Sequence, residues 1–233
     1  MTTDSEAGTA SLPFQRTAIT GGIGSGKSYV CRLLQEQGIS VYDCDSHAKR
    51  LMVESESLRR QLTALIGPKT YIYGGGLKEE GGGRVDSLEK SPSNLPSPSS
   101  FNPPPALLNK AVVARFLMSS PENARALEAI VHPAVIDDYL HSGMEWVESA
   151  ILFESGLNHF VDRIVAVTAP EEVRLRRIME RDGITRGKAL EWIHRQLPQD
   201  YLVSHSHIVI VNDGRTPLLP QLQAKGLISQ LRR

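Results

Sequence analysis

Only two cysteines, Cys31 and Cys44, occur in the 233 residues. They have no metal-type spacing and fall inside expected helix and strand segments, which argues against a metal framework or a disulfide scaffold and for two reduced, structural thiols. No run approaches the roughly 18 apolar residues that span a bilayer, and Met1 to Leu12 is polar, without the apolar stretch of a signal peptide. A cytoplasmic location with no membrane partner is expected. An excess of charge of either sign is missing too, since 26 Lys and Arg balance 26 Asp and Glu. With no overall positive field to hold a polyanion such as DNA, no nucleic-acid partner is expected. No internal repeats are present.

What the chain does have is a 40% hydrophobic content, enough for a sizeable interior. Phe14 to Thr20 reads as a strand running into the glycines Gly21, Gly22, Gly24 and Gly26. Val30, Leu33 and Leu34 then mark a helix closed by Gly38, and Ile39 to Asp43 marks a second strand. Strand, helix, strand within about 30 residues is the unit of a parallel sheet. Ser46 to Leu65 reads as an amphipathic helix. Six prolines and five serines fall between Ser91 and Pro105, after glycine triplets at Gly74 to Gly76 and Gly81 to Gly83; such a segment buries too little apolar surface to offset its ordering entropy and is expected to be flexible. Helices are expected from Ala106 to Leu117 and from Pro121 to about Leu140. Trp146 to Phe153, Arg163 to Thr168 and Ile208 to Val211 read as strands. The helices between and after them run from Pro170, from Thr185 to Gln196, and from Leu218 to Leu231. The alternation predicts an α/β fold with a doubly wound parallel sheet.

Gly21-Gly22-Ile23-Gly24-Ser25-Gly26-Lys27-Ser28 completes the pattern G-x-x-x-x-G-K-[ST] between a predicted strand and a predicted helix, the context that gives it meaning. Glycines let the backbone turn its N–H groups toward phosphate oxygens, and the helix N-terminus adds partial positive charge. Lys27 supplies a cation for the β- and γ-phosphates of ATP, and Ser28 a hydroxyl ligand for the Mg²⁺ that bridges them. Gly22, Ile23, Gly24, Ser25, Gly26, Lys27 and Ser28 are therefore the candidate nucleotide-binding residues. Asp43 and Asp45 fall at the C-terminal end of the second strand, the edge where open α/β sheets bind ligands. A carboxylate there can orient an acceptor hydroxyl and accept its proton; alternatively, Asp45 caps the helix that follows. Asp43 reads as structural.

The run Gly21 to Ser28, then Gly38-Ile39 and Tyr42-Asp43-Cys44-Asp45, resembles the opening of the dephospho-coenzyme A kinase family. Ile130-Val131-His132-Pro133, Ile151-Leu152-Phe153-Glu154-Ser155-Gly156 and Asn212-Asp213-Gly214 resemble its later motifs, so the likeness covers residues 15 to 67 and 106 to 214. The resemblance implies a P-loop nucleotide-kinase fold and transfer of the ATP γ-phosphoryl group to the 3′-hydroxyl of dephospho-coenzyme A. It implies Asp45 and Lys27 as catalytic residues, His132 and Glu154 near the acceptor, and Asn212 near the nucleotide. Read from the residues alone, His132 is as well explained as a helix residue held in the core.

Arg174, Arg177 and Arg181 share one helical face by their spacing. Such a stripe is usually a solvated surface, but the resemblance makes this helix a lid, with Arg177 and Arg181 on the phosphates. The chain departs from the family pattern in having Tyr29 for a usual threonine, Arg174 for a usual glutamine, Lys110 for a usual arginine and Ser206-His207 for a usual Ala-Asp. His205 and His207 alternate near the last strand and read as a packed or solvated pair in the absence of further metal ligands. The implied organisation is a tail at 1–13, a core at 14–54 with 143–169 and 205–233, a helical acceptor-binding subdomain at 55–142 with a flexible insert at 68–105, and a lid at 170–204. A monomer is expected.

Overall fold

The computed structural model describes residues 15–73 and 106–228. The tail at 1–13, most of the insert and residues 229–231 of the span expected as the closing helix therefore lie outside the described residues, and the helix itself ends earlier than expected, at Ala224. The chain divides into two compact units, one of the residues up to Ala48 together with those from Val135 onward, the other Lys49–Ala134.

The first unit is built on β1 (Thr17–Thr20), whose four residues are all buried. The phosphate-loop sequence follows, then α1 (Lys27–Glu36), which turns Val30, Cys31, Leu33 and Leu34 inward. These positions recur at the helical period, so they form one apolar stripe against the sheet. Each fully buried leucine contributes roughly 1.5–3 kcal/mol before chain entropy is set against it. Gly38, at φ 82°, ends the segment as expected, and β2 (Val41–Asp43) follows. Later come β5 (Trp146–Glu148), β6 (Arg163–Thr168) and β7 (Ile208–Val211); β3 (Tyr71–Tyr73) and β4 (Ala106–Leu108) belong to the other unit. All five strands of the sheet are parallel, in the order β2-β5-β1-β6-β7. Helices lie on both sides, so the doubly wound α/β fold is as expected. Its core joins Ile19, Val30, Leu34, Val165, Val167 and Ile210 with Leu218 and Leu222 of α9 (Leu218–Ala224). Between β6 and β7 run α6 (Glu171–Asp182), α7 (Arg186–His194) and α8 (Gln199–Ser204).

Several boundaries differ from expectation. The strand expected over Trp146 to Phe153 stops at Glu148, because Ser149 turns the chain by accepting the Ile151 N–H on its Oγ at 3.3 Å. The helix expected over Ser46 to Leu65 is two helices, α2 (Cys44–Glu54) and α3 (Glu56–Ile66). They part at Ser55, whose side chain caps α3 through the Leu58 N–H.

In the second unit the expected flexible insert begins too early. Pro68–Thr70 forms a turn of 3₁₀ helix and leads into β3 (Tyr71–Tyr73), paired antiparallel with β4 (Ala106–Leu108). The helix expected from Ala106 starts instead at Lys110, as α4 (Lys110–Ser119), capped by Asn109 through the Val112 N–H. Tyr71 fixes the hairpin to α2 by donating its hydroxyl to the Met52 carbonyl at 2.6 Å. The long α5 (Pro121–His141) runs through Pro133 without ending.

Candidate active site

Residues 21–26 join β1 to α1 at the C-terminal edge of the sheet, and Lys27 and Ser28 open the helix. Gly26, at φ 91°, precedes the first helical residue, and α1 has no side-chain cap. Uncapped N–H groups at a helix start are a ready seat for an anion. A Cβ on Gly26 would lie 2.1 Å from Asn212 Nδ2, so a larger residue is excluded by contact as well as by backbone angle. Lys27 opens the helix, and burial lowers its affinity for a proton, with the Glu148 carboxylate opposing that shift. Ser28 donates its hydroxyl to Glu148 Oε1 at 3.0 Å.

Glu148 is the residue that sequence reasoning missed. It is the last residue of β5, in register with Ile19 of β1 on one side and Asp43 of β2 on the other. The carboxylate is thus held between the phosphate loop and the start of α2. Two thiols respond to it. Burial, reinforced by Glu148, pushes Cys31 well above the ordinary thiol range, and burial together with Asp43 pushes Cys44 up to about 12. Both stay protonated and inert at neutral pH, in keeping with the structural role expected for them.

The capping role considered for Asp45 belongs to Asp43. Its carboxylate accepts the Asp45 N–H at 3.0 Å and the Ser46 hydroxyl at 2.6 Å. Asp45 is therefore in the first turn of α2, one residue past the helix start and not on the strand, and it is exposed. Below this turn, Tyr42 is buried and donates its hydroxyl to Asp138 Oδ2 at 2.7 Å. His47 stacks on Tyr42 at 3.8 Å between ring centroids and pairs with the same carboxylate oxygen at 3.0 Å. The turn that carries Asp45 is anchored on this cluster.

The helix α6 packs directly on the loop. Leu175 and Ile178 form a small core with Ala189 and Ile193 of α7, and Ile23 of the loop rests against it. Arg177 donates Nη1 to the carbonyls of Gly24 at 3.2 Å and Ser25 at 3.3 Å, and Nη2 to Asn212 Oδ1 at 3.2 Å. Asn212 returns a hydrogen bond from Nδ2 to the Ser25 carbonyl at 2.8 Å. Arg177 and Asn212 thereby hold the loop from behind. Arg181, further along α6, forks onto Asp182, with Nη2 to Oδ2 at 2.7 Å. Arg174 is almost fully buried against the loop.

Glu154, which the expected strand over Trp146 to Phe153 would place at a strand end, is exposed in the turn that follows β5, beside the buried Leu152. His132 is half-buried on α5 and Lys110 opens α4, both in the second unit. The ring of His207 accepts the Ile164 N–H at 3.0 Å, while His205 stacks on Tyr201 at 4.0 Å. Both rings are engaged in packing.

A phosphate loop on a five-stranded parallel sheet, with carboxylates at the ends of the neighbouring strands, defines the class of P-loop kinases. Comparison with known proteins narrows the class. The family model described as dephospho-CoA kinase matches residues 16–82 and 101–217. The dephospho-CoA kinase of Bacteroides fragilis is 31% identical over 218 residues, with 89% of each chain covered. That of Chlorobaculum tepidum is 32% identical over 205 residues, covering 84% of this chain and 85% of the relative. Among solved structures, TT1252 from Thermus thermophilus superposes with a TM-score of 0.67 at 27% identity, covering 91% of this chain and 96% of that one. A dephospho-CoA kinase from Campylobacter jejuni shares the fold, with a TM-score of 0.54 at 17% identity and coverage of 91% and 94%. The chain belongs to the dephospho-CoA kinase family.

Proposed function

We propose that the protein transfers the γ-phosphoryl group of ATP to the 3′-hydroxyl of dephospho-coenzyme A, giving coenzyme A and ADP. The observation that carries the reading is the meeting of Lys27, Ser28 and Glu148 at the mouth of α1, beside the turn that presents Asp45. The loop amides and Lys27 bind and orient the triphosphate, and Lys27 stabilises the charge that develops on the transferring group. Asp45 orients the acceptor hydroxyl and takes its proton as the bond to phosphorus forms. By family resemblance His132 and Glu154 hold the acceptor and Arg181 reaches the phosphates, while Arg177 and Asn212 act on the nucleotide through the loop they hold. The unit Lys49–Ala134, which overlaps most of the 55–142 span expected from sequence, receives the acceptor, and residues 170–204 act as a lid that shields the site from water.

The donor set suits Mg²⁺. Ser28 Oγ and Glu148 Oε1, hard oxygens 3.0 Å apart, are what this ion takes from a protein when phosphates and water complete its shell. Among the described residues no group of three or more His, Cys, Asp or Glu could hold a metal by itself. When bound, the ion neutralises charge on the β- and γ-oxygens. We also propose a cytoplasmic monomer that engages no nucleic acid: equal numbers of acidic and basic residues leave no overall positive field for a polyanion, and no helix among the described residues is long and apolar enough to cross a membrane.

The test is incubation of the purified chain with MgATP and a panel of acceptor alcohols, followed by mass spectrometry. Dephospho-coenzyme A should gain one phosphoryl group faster than any other acceptor, and Lys27→Ala should abolish the gain. Preferential phosphorylation of a sugar or a nucleoside monophosphate would overturn the substrate assignment.

A further inference from the structure

Arg174 is 6% exposed, although arginine is almost never fully buried without an acidic partner. Its Nε donates to the Ile23 carbonyl at 2.9 Å. Among the described residues no carboxylate lies within ion-pair distance of it; Glu171, one helical turn earlier, acts on it only at longer range. Nη2 stands 2.5 Å from where a Cβ on Gly22 would lie, and the Arg174 carbonyl 2.8 Å from one on Gly24. The guanidinium therefore lies directly against the loop backbone at Gly22, where a side chain would have to displace it.

The neighbouring cations are better provided for. Arg177 is met by three oxygens and Lys27 is opposed by Glu148. Arg174 has one carbonyl, and its positive charge adds to the field that makes Lys27 a weaker base. Taking a charge out of water is costly unless an opposite charge compensates. A polyphosphate held by the loop amides would bring the compensating charge.

We propose that Arg174 is a built-in counter-charge for the polyphosphate of the bound nucleotide, acting through the loop it supports and lowering the stability of the ligand-free protein. The inference rests on the reading of the loop as a nucleotide site. Glutamine, the residue that the family resemblance leads one to expect here, can keep a hydrogen bond to Ile23 but brings no charge. Arg174 thus sets how strongly the loop holds phosphates, and it touches none of the reacting atoms.

The experiment compares wild type, Arg174→Gln and Arg174→Lys by thermal unfolding and by calorimetric titration with tripolyphosphate and MgATP at two salt concentrations. Free Arg174→Gln should unfold at the wild-type temperature or above. It should bind tripolyphosphate about tenfold more weakly, with a shallower salt dependence, as loss of one incompletely screened charge requires. Arg174→Lys should stay within about threefold of wild type, because the charge is kept. In turnover, Arg174→Gln should raise KM for ATP with little change in kcat, the sign of lost uniform binding. Tripolyphosphate affinity of Arg174→Gln equal to wild type, an equal loss in Arg174→Lys, or failure of Arg174→Gln to fold would each overturn the proposal in favour of a mechanical tether. A wild-type chain that retains neither ligand would instead overturn the nucleotide-site reading itself.

Discussion

Ser28 and Glu148 share a hydrogen bond of 3.0 Å between the first turn of α1 and the end of β5. The bond aligns a hydroxyl with a carboxylate whose charge also bears on Lys27. Glu148→Gln keeps the shape and an acceptor oxygen but removes that charge. It should lower kcat by about 10²- to 10³-fold, the scale of losing one electrostatic element of such a site. Metal-free nucleotide affinity should hold or improve, since a negative charge near the phosphates is gone. A magnesium titration of the steady-state rate checks this, and the variant should need more Mg²⁺ for half-maximal activity. An unchanged magnesium dependence would exclude Glu148 from the metal site.

Asn212 links the end of β7 to the loop through Ser25 and also receives Arg177. Its side chain is buried, so Asn212→Ala takes the acceptor from Arg177 Nη2 and leaves the Ser25 carbonyl with Arg177 Nη1 as its remaining side-chain donor. A stability loss of roughly 1–3 kcal/mol is expected, measurable by urea unfolding. KM for ATP should rise with it, because the loop loses its rear support. If stability fell while KM stayed at the wild-type value, Asn212 would matter to folding alone.

The two thiols give a pH-dependent prediction. The Cys44 thiol is raised from its ordinary value of 9.0 up to about 12 by burial and by Asp43. At pH 8 its thiolate fraction is then about 10⁻⁴, and Cys31 is held higher still by burial and Glu148. Neither should react with a thiol reagent in the folded protein at pH 8, and both should react in urea. A folded-state pKa above the unfolded one stabilises the fold below pH 9 and loses that contribution as the pH rises toward 12. Urea unfolding between pH 8 and 11 should show the decline, and Cys44→Ser should reduce it.

Much of this architecture can be read from residue order. Gly21 to Ser28 announces the loop because few sequences place a lysine and a hydroxyl directly after such glycines, and Val30, Leu33 and Leu34 announce the helix behind it by their period. The carboxylate at the sheet edge was harder to see. Ile151, Leu152 and Phe153 extend an apolar run that looks like more strand, yet Leu152 is buried from within a turn. Misplacing the strand end shifts attention from Glu148 to Glu154. Had Ser149 been read as a turn residue, the rule that ligands meet the carboxyl ends of strands would have selected Glu148. Ser55 carried a similar signal, a capping serine followed by an acid, inside what reads as one continuous amphipathic helix. Arg174 could not be placed from sequence, because its helical face is shared with Arg177 and Arg181 and only tertiary packing decides which of the three is buried.

The assignment of Asp45 is tested by single-turnover phosphoryl transfer in Asp45→Asn, with nucleotide affinity titrated in parallel. Asp43 already supplies the helix cap, so the variant should fold and bind MgATP within about threefold of wild type. Transfer to dephospho-coenzyme A should slow by roughly 10²- to 10⁴-fold, the range for loss of a general base. Transfer at the wild-type rate would contradict the assignment and leave the acceptor hydroxyl without the residue proposed to activate it.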